Sequence, residues 1–131
     1  MILSLVLVLT IVSTVAVTAF AAIAEDNTVS PRMTYISQAG LSFAPATFSC
    51  DIVGDILGYD NVTKVYIKLE LQKKVDGIYT TVSQWSDQAN GNYLVLSAED
   101  SINPLKAYRV KATFTAYSGS QSETKVLYRY E

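Results

Sequence analysis

From Thr63 to Lys73 every second side chain is aliphatic: Val65, Ile67, Leu69 and Leu71 alternate with Tyr66, Lys68, Glu70 and Gln72. A helix would scatter that apolar row around its circumference, whereas an extended strand places it on one face. A second run, Lys106 to Tyr117, behaves the same way, with Tyr108, Val110, Ala112 and Phe114 set against Arg109, Lys111, Thr113 and Thr115. Weaker alternation marks Met33–Phe43, which carries Tyr35, Leu41 and Phe43, and Thr47–Val53, which places Phe48, Cys50 and Ile52 on one face. Ile78–Trp85, Tyr93–Ser97 and Glu123–Tyr130 complete the set of strands. Thr, Val, Ile and Tyr dominate these segments, as suits a pleated, half-buried surface.

Turn chemistry divides the chain at the same places. Asp76-Gly77 between two strand patterns is a two-residue hairpin signal, because both residues accept positive φ. Asn90-Gly91 and Ser118-Gly119-Ser120-Gln121 mark further reversals, Pro45 separates the first two strands, and Asn103-Pro104 precedes the Lys106 strand. No segment sustains a helical period and no internal repeat is visible. Short strands with regular turns predict an all-β fold: a single immunoglobulin/fibronectin-III-like antiparallel β-sandwich of about seven strands. Tyr108-x-Val110 matches a tyrosine corner, and Cys50 stands where an immunoglobulin domain carries its first bridging cysteine, with Val110 near the partner position. A small open barrel is the rival architecture.

The first 24 residues read differently, with no charged side chain from Met1 to Ala24. Ile2 to Phe20 is apolar with scattered Ser and Thr, and Ala19-Phe20-Ala21 and Ala22-Ile23-Ala24 are small-x-small patterns. Residues 1–24 are therefore expected to be a signal-peptide helix, cleaved after Ala21 or Ala24. Residues 25–32, with Pro31, are expected to be a flexible lead-in, and residues 33–131 the sandwich domain. The leader lacks the usual basic start, and its length would also span a bilayer, so a retained N-terminal anchor is the alternative. A start codon assigned too late would account for the missing lysines. Cys50 is too distant from the leader to be the lipid-bearing cysteine of a lipoprotein. Either reading places the domain outside the cytoplasm.

Composition excludes more than it assigns. The chain of 131 residues has no histidine, which removes the usual general base, the commonest metal ligand and every Ser-His or Cys-His pair. One cysteine excludes an intrachain disulfide and a multi-cysteine zinc site. A net charge of −2 argues against nucleic acid as a partner. No catalytic, cofactor-binding or metal-binding residue is assigned, and the chain is expected not to be an enzyme.

The run Val62 to Lys74, followed by Tyr79, Val82 and Trp85, then Tyr108 to Tyr117 and Ser122-Glu123-Thr124, resembles a functionally uncharacterised family. Its members are small secreted Ig-like proteins of Gram-positive, largely anaerobic (Clostridia-type) gut bacteria. The resemblance covers nearly all of the chain beyond the leader and implies a bacterial, extracellular β-sandwich. It carries over no site residues, because the shared motifs are strand faces and turns. The departure is at the N-terminus, where such proteins begin with lysines.

Several residues could serve a ligand, each with a plainer structural role beside it. Tyr66 and Tyr117 face outward, and Tyr59, Tyr79 and Tyr93 lie near loops or strand ends. Exposed rings can stack on sugars, although cross-strand pairing alone enriches Tyr in sheets. Trp85 reads as core or core-edge. Asp51, Asp55, Asp60 and Asn61 gather around the expected loop after the second strand, with oxygen ligands suited to calcium but no calcium-loop spacing. Lys64, Lys68, Lys73 and Lys74 would form a basic stripe with Arg109 and Lys111 if their strands are neighbours, able to touch anionic polymers or simply to discourage edge pairing. Cys50 reads as a small buried hydrophobe, the alternative being a bridge between two chains. Asn61-Val62-Thr63 is a glycosylation sequon that matters only on a eukaryotic secretory route.

The expectation for function is a secreted, non-catalytic β-sandwich module that binds an extracellular glycan, cell wall or protein, with ligand-binding residues left open. A membrane would be met only through an uncleaved leader. The alternative is a structural surface protein that self-associates through Tyr-rich strand edges.

Overall fold

A computed structural model describes residues 33–131; the leader, its cleavage positions and the lead-in lie outside the described residues. The chain forms seven strands: β1 (Ile36–Pro45), β2 (Ser49–Gly58), β3 (Lys64–Val75), β4 (Ile78–Asn90), β5 (Tyr93–Ser101), β6 (Tyr108–Ser118) and β7 (Gln121–Tyr130). All pairings are antiparallel. They build a three-stranded sheet in the order β1-β2-β5 and a four-stranded sheet in the order β4-β3-β6-β7. A constant-type immunoglobulin domain would pair its fourth strand with the fifth. Here the Asp76-Gly77 hairpin holds β4 against β3, which gives the fibronectin-III arrangement. Both turn residues have positive φ, 52° and 81°, as a type I′ turn requires. Gly119, at φ 62°, opens the β6–β7 hairpin.

The inner faces of the two sheets meet in one apolar core. Ile52, Ile56, Val65, Ile67, Leu69, Leu71, Val110, Ala112, Phe114 and Ala116 are fully buried. Cys50 is buried among them; burial pushes its thiol pKa up even though a backbone hydrogen bond from Asp100 pulls it down. A thiol so placed is not presented to a second chain.

Several strand boundaries differ from expectation, among them that of β5, which runs to Ser101 rather than ending at Ser97. β2 runs to Gly58 rather than ending at Val53. Gly54 interrupts the apolar pattern in sequence, yet it occupies an inward position where a Cβ would stand only 3.0 Å from Leu69 Cδ2. Its missing side chain makes room for the opposite sheet. β4 continues to Asn90, with polar residues along a sheet edge where burial cannot enforce alternation. Pro45 is the last residue of β1, and Phe48 is exposed just before β2 begins, so it does not share the buried face of Cys50 and Ile52.

The open sides of the sandwich are tied by polar contacts. On one side the Glu123 carboxylate of β7 accepts backbone N–H groups from Thr34, Tyr35 and Ile36, each at 2.8 Å. On the other, the Ser83 hydroxyl of β4 donates to the Asp100 carboxylate of β5. At the β5–β6 corner the Tyr108 hydroxyl accepts the Asn103 N–H at 2.9 Å, while the ring is buried. This is the expected tyrosine corner. Tyr108→Phe is expected to lower the unfolding free energy by about 1 kcal/mol, since the Asn103 donor loses its partner while the ring packing survives. Urea titration measures it; an unchanged midpoint would show that water replaces the hydroxyl without cost.

Candidate functional site

The outer face of the four-stranded sheet follows from strand register. Lys64, Tyr66, Lys68, Glu70, Gln72 and Lys74 of β3 point away from the core, as the burial of the intervening residues requires. β6 adds Arg109, Lys111, Thr113, Thr115 and Tyr117 to that face, with Gln72 opposite Arg109 and Glu70 opposite Lys111. β7 adds Thr124, Val126, Tyr128 and Tyr130, the last opposite Arg109. β4 adds Tyr79, opposite Lys74, and Thr81, opposite Gln72.

Arg109 is the centre of this face. Its guanidinium carbon lies 4.3 Å from the Tyr79 ring centroid, 4.6 Å from that of Tyr128 and 5.8 Å from that of Tyr130. Tyr79 and Tyr130 also meet edge to face, with centroids 5.8 Å apart and planes at 74°. Such stacking suits a planar, weakly hydrated cation over electron-rich rings. Hydrogen bonds orient the guanidinium: Nε donates to Gln72 Oε1 at 2.6 Å, and Nη1 donates to the Tyr130 hydroxyl at 3.0 Å. Gln72, itself buried, passes the order on by donating from Nε2 to Thr81 Oγ1 at 3.2 Å, and Thr81 donates to Glu70 Oε1 at 3.1 Å. The relay crosses all four strands of the sheet and leaves Tyr128 and Tyr130 exposed, at 39% and 57%.

The other candidates fall in different places. Tyr66 and Tyr117 do share this face, but both are half-buried, and Lys64 Nζ covers the Tyr117 ring at 4.5 Å. Tyr66 and Lys68 line a shallow groove of about 250 Å³ with Gln84, Trp85 and Ser86. Trp85 itself is partly buried against the core, as expected for a core-edge residue. Tyr59 and Tyr93 are exposed and lie on or beside the three-stranded sheet, away from Arg109.

The basic stripe exists, because β3 and β6 are neighbours. It consists of Lys64, Lys68, Lys74, Arg109 and Lys111; Lys73 has the opposite parity and is excluded. The acidic group is not a loop cluster. Asp51 and Asp55 are strand residues of β2, paired with Glu99 and Val95 of β5, while Asp60 and Asn61 follow the strand. Two strand residues four apart are separated by roughly 13 Å, so the set does not converge. Among the described residues no group of three or more His, Cys, Asp or Glu is placed to hold a metal ion. The outer face of the three-stranded sheet is therefore acidic, with Asp51, Asp55 and Glu99 among small residues such as Ser42, Ala44 and Ser97.

Sequence reasoning passed over Tyr128, Tyr130 and Gln72. The shared parity of Val126, Tyr128 and Tyr130 was a usable signal for an exposed aromatic row. The Ser118–Gln121 turn implies that β7 pairs with β6, but nothing local gives the pairing of β6 with β3, which brings Tyr79 and Gln72 to Arg109.

No family model matches the chain, and no curated protein does. Solved structures with a similar fold include the sporulation control protein Spo0M from Bacillus subtilis, with 10% identity and a TM-score of 0.48. That match covers 75% of this chain and 49% of Spo0M, so the chain spans about half the length of that protein. CsgH of R. palustris matches at 12% identity and TM-score 0.42, over 69% of this chain and 89% of its own. A protein from Archaeoglobus fulgidus matches at 12% identity and TM-score 0.40, over 73% and 94%. These likenesses concern the fold alone.

Proposed function

We propose that this protein is a secreted, non-catalytic β-sandwich module that binds an extracellular glycan through the outer face of its four-stranded sheet. The observation that carries the reading is the Tyr79, Tyr128 and Tyr130 cluster around Arg109 on the outer sheet face, with Tyr128 and Tyr130 exposed. The hydrogen-bond relay fixes Arg109 and Tyr130, and Tyr79 and Tyr128 stack on the guanidinium, so the cluster is ordered before any ligand arrives, which reduces the ordering cost of binding. Exposed ring faces offer apolar area to a sugar, while the hydroxyl tips can exchange hydrogen bonds with its hydroxyl groups.

The competing reading, self-association through strand edges, has less support. In β4 the Asp87 carboxylate accepts the Gln88 N–H at 2.8 Å, and in β5 the Asp100 carboxylate accepts the Ser101 N–H at 2.8 Å. The β3–β4 pairing also shifts register opposite Leu71 and Gln72, leaving Val82 unmatched. Occupied edge donors and a bulge are the usual means of blunting a sheet edge.

The test is a glycan array probed with the purified protein and with its Tyr128→Ala/Tyr130→Ala variant. Retention of at least one glycan by the parent, reduced tenfold or more in the variant with its circular dichroism unchanged, is the expected result. An array without retained glycans, together with concentration-dependent oligomers by light scattering, would favour strand-edge association instead.

A further inference from the structure

We infer that the ligand of this face is an acidic polysaccharide, a hydroxyl-rich chain bearing spaced anionic groups, laid along β3 and β6. The inference rests on the binding reading above and adds the ligand's chemistry to it.

Charge is segregated between the two outer faces of the sandwich. The four-stranded sheet presents Lys64, Lys68, Lys74, Arg109 and Lys111 against the single carboxylate of Glu70. Among the described residues the three-stranded sheet presents Asp51, Asp55 and Glu99 with no cation on the same face. A net charge of −2 for the whole chain conceals this polarity. One side attracts an anion and the other repels it, so a charged ligand would approach in one orientation.

The partners of the cations are mostly neutral. Arg109 bonds to Gln72 and Tyr130, and Lys64 lies over the Tyr117 ring. Neither contact cancels charge. Glu70 is turned toward Thr81, although its backbone register places it opposite Lys111.

Shape argues for a polymer. The row from Lys64 to Lys74 extends roughly 33 Å at about 3.3 Å per residue, far longer than a small anion can use. Interleaved hydroxyl and amide side chains argue for a sugar chain over a nucleic acid. Beside the cations lie Thr113, Thr124, Gln84 and Ser86, which can exchange hydrogen bonds with sugar hydroxyls.

Affinity electrophoresis of the full chain in polygalacturonate, neutral dextran and a thymidine oligonucleotide tests the inference. Polygalacturonate is expected to retard the protein most, with affinity falling roughly tenfold between about 50 and 200 mM salt. Lys68→Gln/Lys111→Gln should weaken retardation about tenfold, whereas Glu70→Gln, which keeps its bond from Thr81, should strengthen it severalfold. Asp51→Asn/Glu99→Gln, on the opposite face, should change it less than about twofold. Equal, salt-insensitive binding of dextran would overturn the acidic ligand and leave a neutral glycan module standing. Stronger retardation by the oligonucleotide would overturn it in favour of nucleic acid. Salt-sensitive oligomers without polymer binding would overturn both the inference and the module reading, and would point to the acidic face of a second copy as the occupant.

Discussion

Phe114→Ala is expected to remove about 3–5 kcal/mol of stability, the range for deleting a large buried aromatic side chain. Phe114 is fully buried on β6 and stands opposite Ile67 of β3 on one side and Lys125 of β7 on the other. Its ring reaches across to the second sheet, where a Cβ built on Gly54 would lie 3.6 Å from Phe114 Cε1. Truncation would leave a void between two sheets whose spacing is held by continuous hydrogen-bonded ladders, so little collapse can fill it. For a domain of this size each kcal/mol lowers the melting temperature by about 4–8 °C, which places the expected drop above 10 °C. Urea and thermal unfolding of the parent and variant check this. A loss below about 1.5 kcal/mol would mean that the sheets close over the gap.

Glu123→Gln is expected to cost about 2 kcal/mol near neutral pH, because its carboxylate gathers three backbone donors at the start of the domain. Burial alone would raise its pKa, but the N–H groups of Ile36, Thr34 and Tyr35 outweigh that and hold it below the usual carboxylate range. A pKa lowered in the folded state contributes stability that is complete above the unfolded value, about 4.5. That contribution is lost as pH falls through the lower folded value. The stability gap between parent and variant should therefore be full at about pH 7 and narrow as the solution becomes more acidic than the ordinary carboxylate range. Urea midpoints measured across that interval decide the matter. A gap independent of pH would assign the effect to shape rather than charge, since glutamine retains one acceptor oxygen.

Individual residues show where sequence reading succeeds. Val65, Ile67, Leu69 and Leu71 announce β3 because one buried face forces strict alternation, and the same holds for β6. Asp76-Gly77 and Gly119 announce their hairpins because few other residues tolerate those backbone angles. Tyr108 was legible from its spacing to Val110, and its hydroxyl finds the backbone a few residues upstream. Gly54 misled, since an inward glycine resembles a break until the opposing Leu69 is seen. Asp55 misled for the same reason: ending β2 at Val53 turned a strand residue into a loop neighbour of Asp60 and Asn61.

The candidate site was only half legible. Outward parity identified Lys64, Lys68, Arg109 and Lys111 as surface residues, and adjacency of β3 with β6 made them one stripe. Alternation reports which face of its own strand a side chain occupies, because the pleat has a period of two. It carries no term for which strand lies beside it. Strand count, hairpin positions, the core rows and the tyrosine corner were thus determined by the chain itself. The pairing of β3 with β6, the meeting of Tyr79, Tyr128 and Tyr130 on Arg109, and the opposite charges of the two outer faces were decided only by tertiary structure. Each depends on pairing between residues distant in sequence, and such pairing is set when the two apolar faces close on a common core.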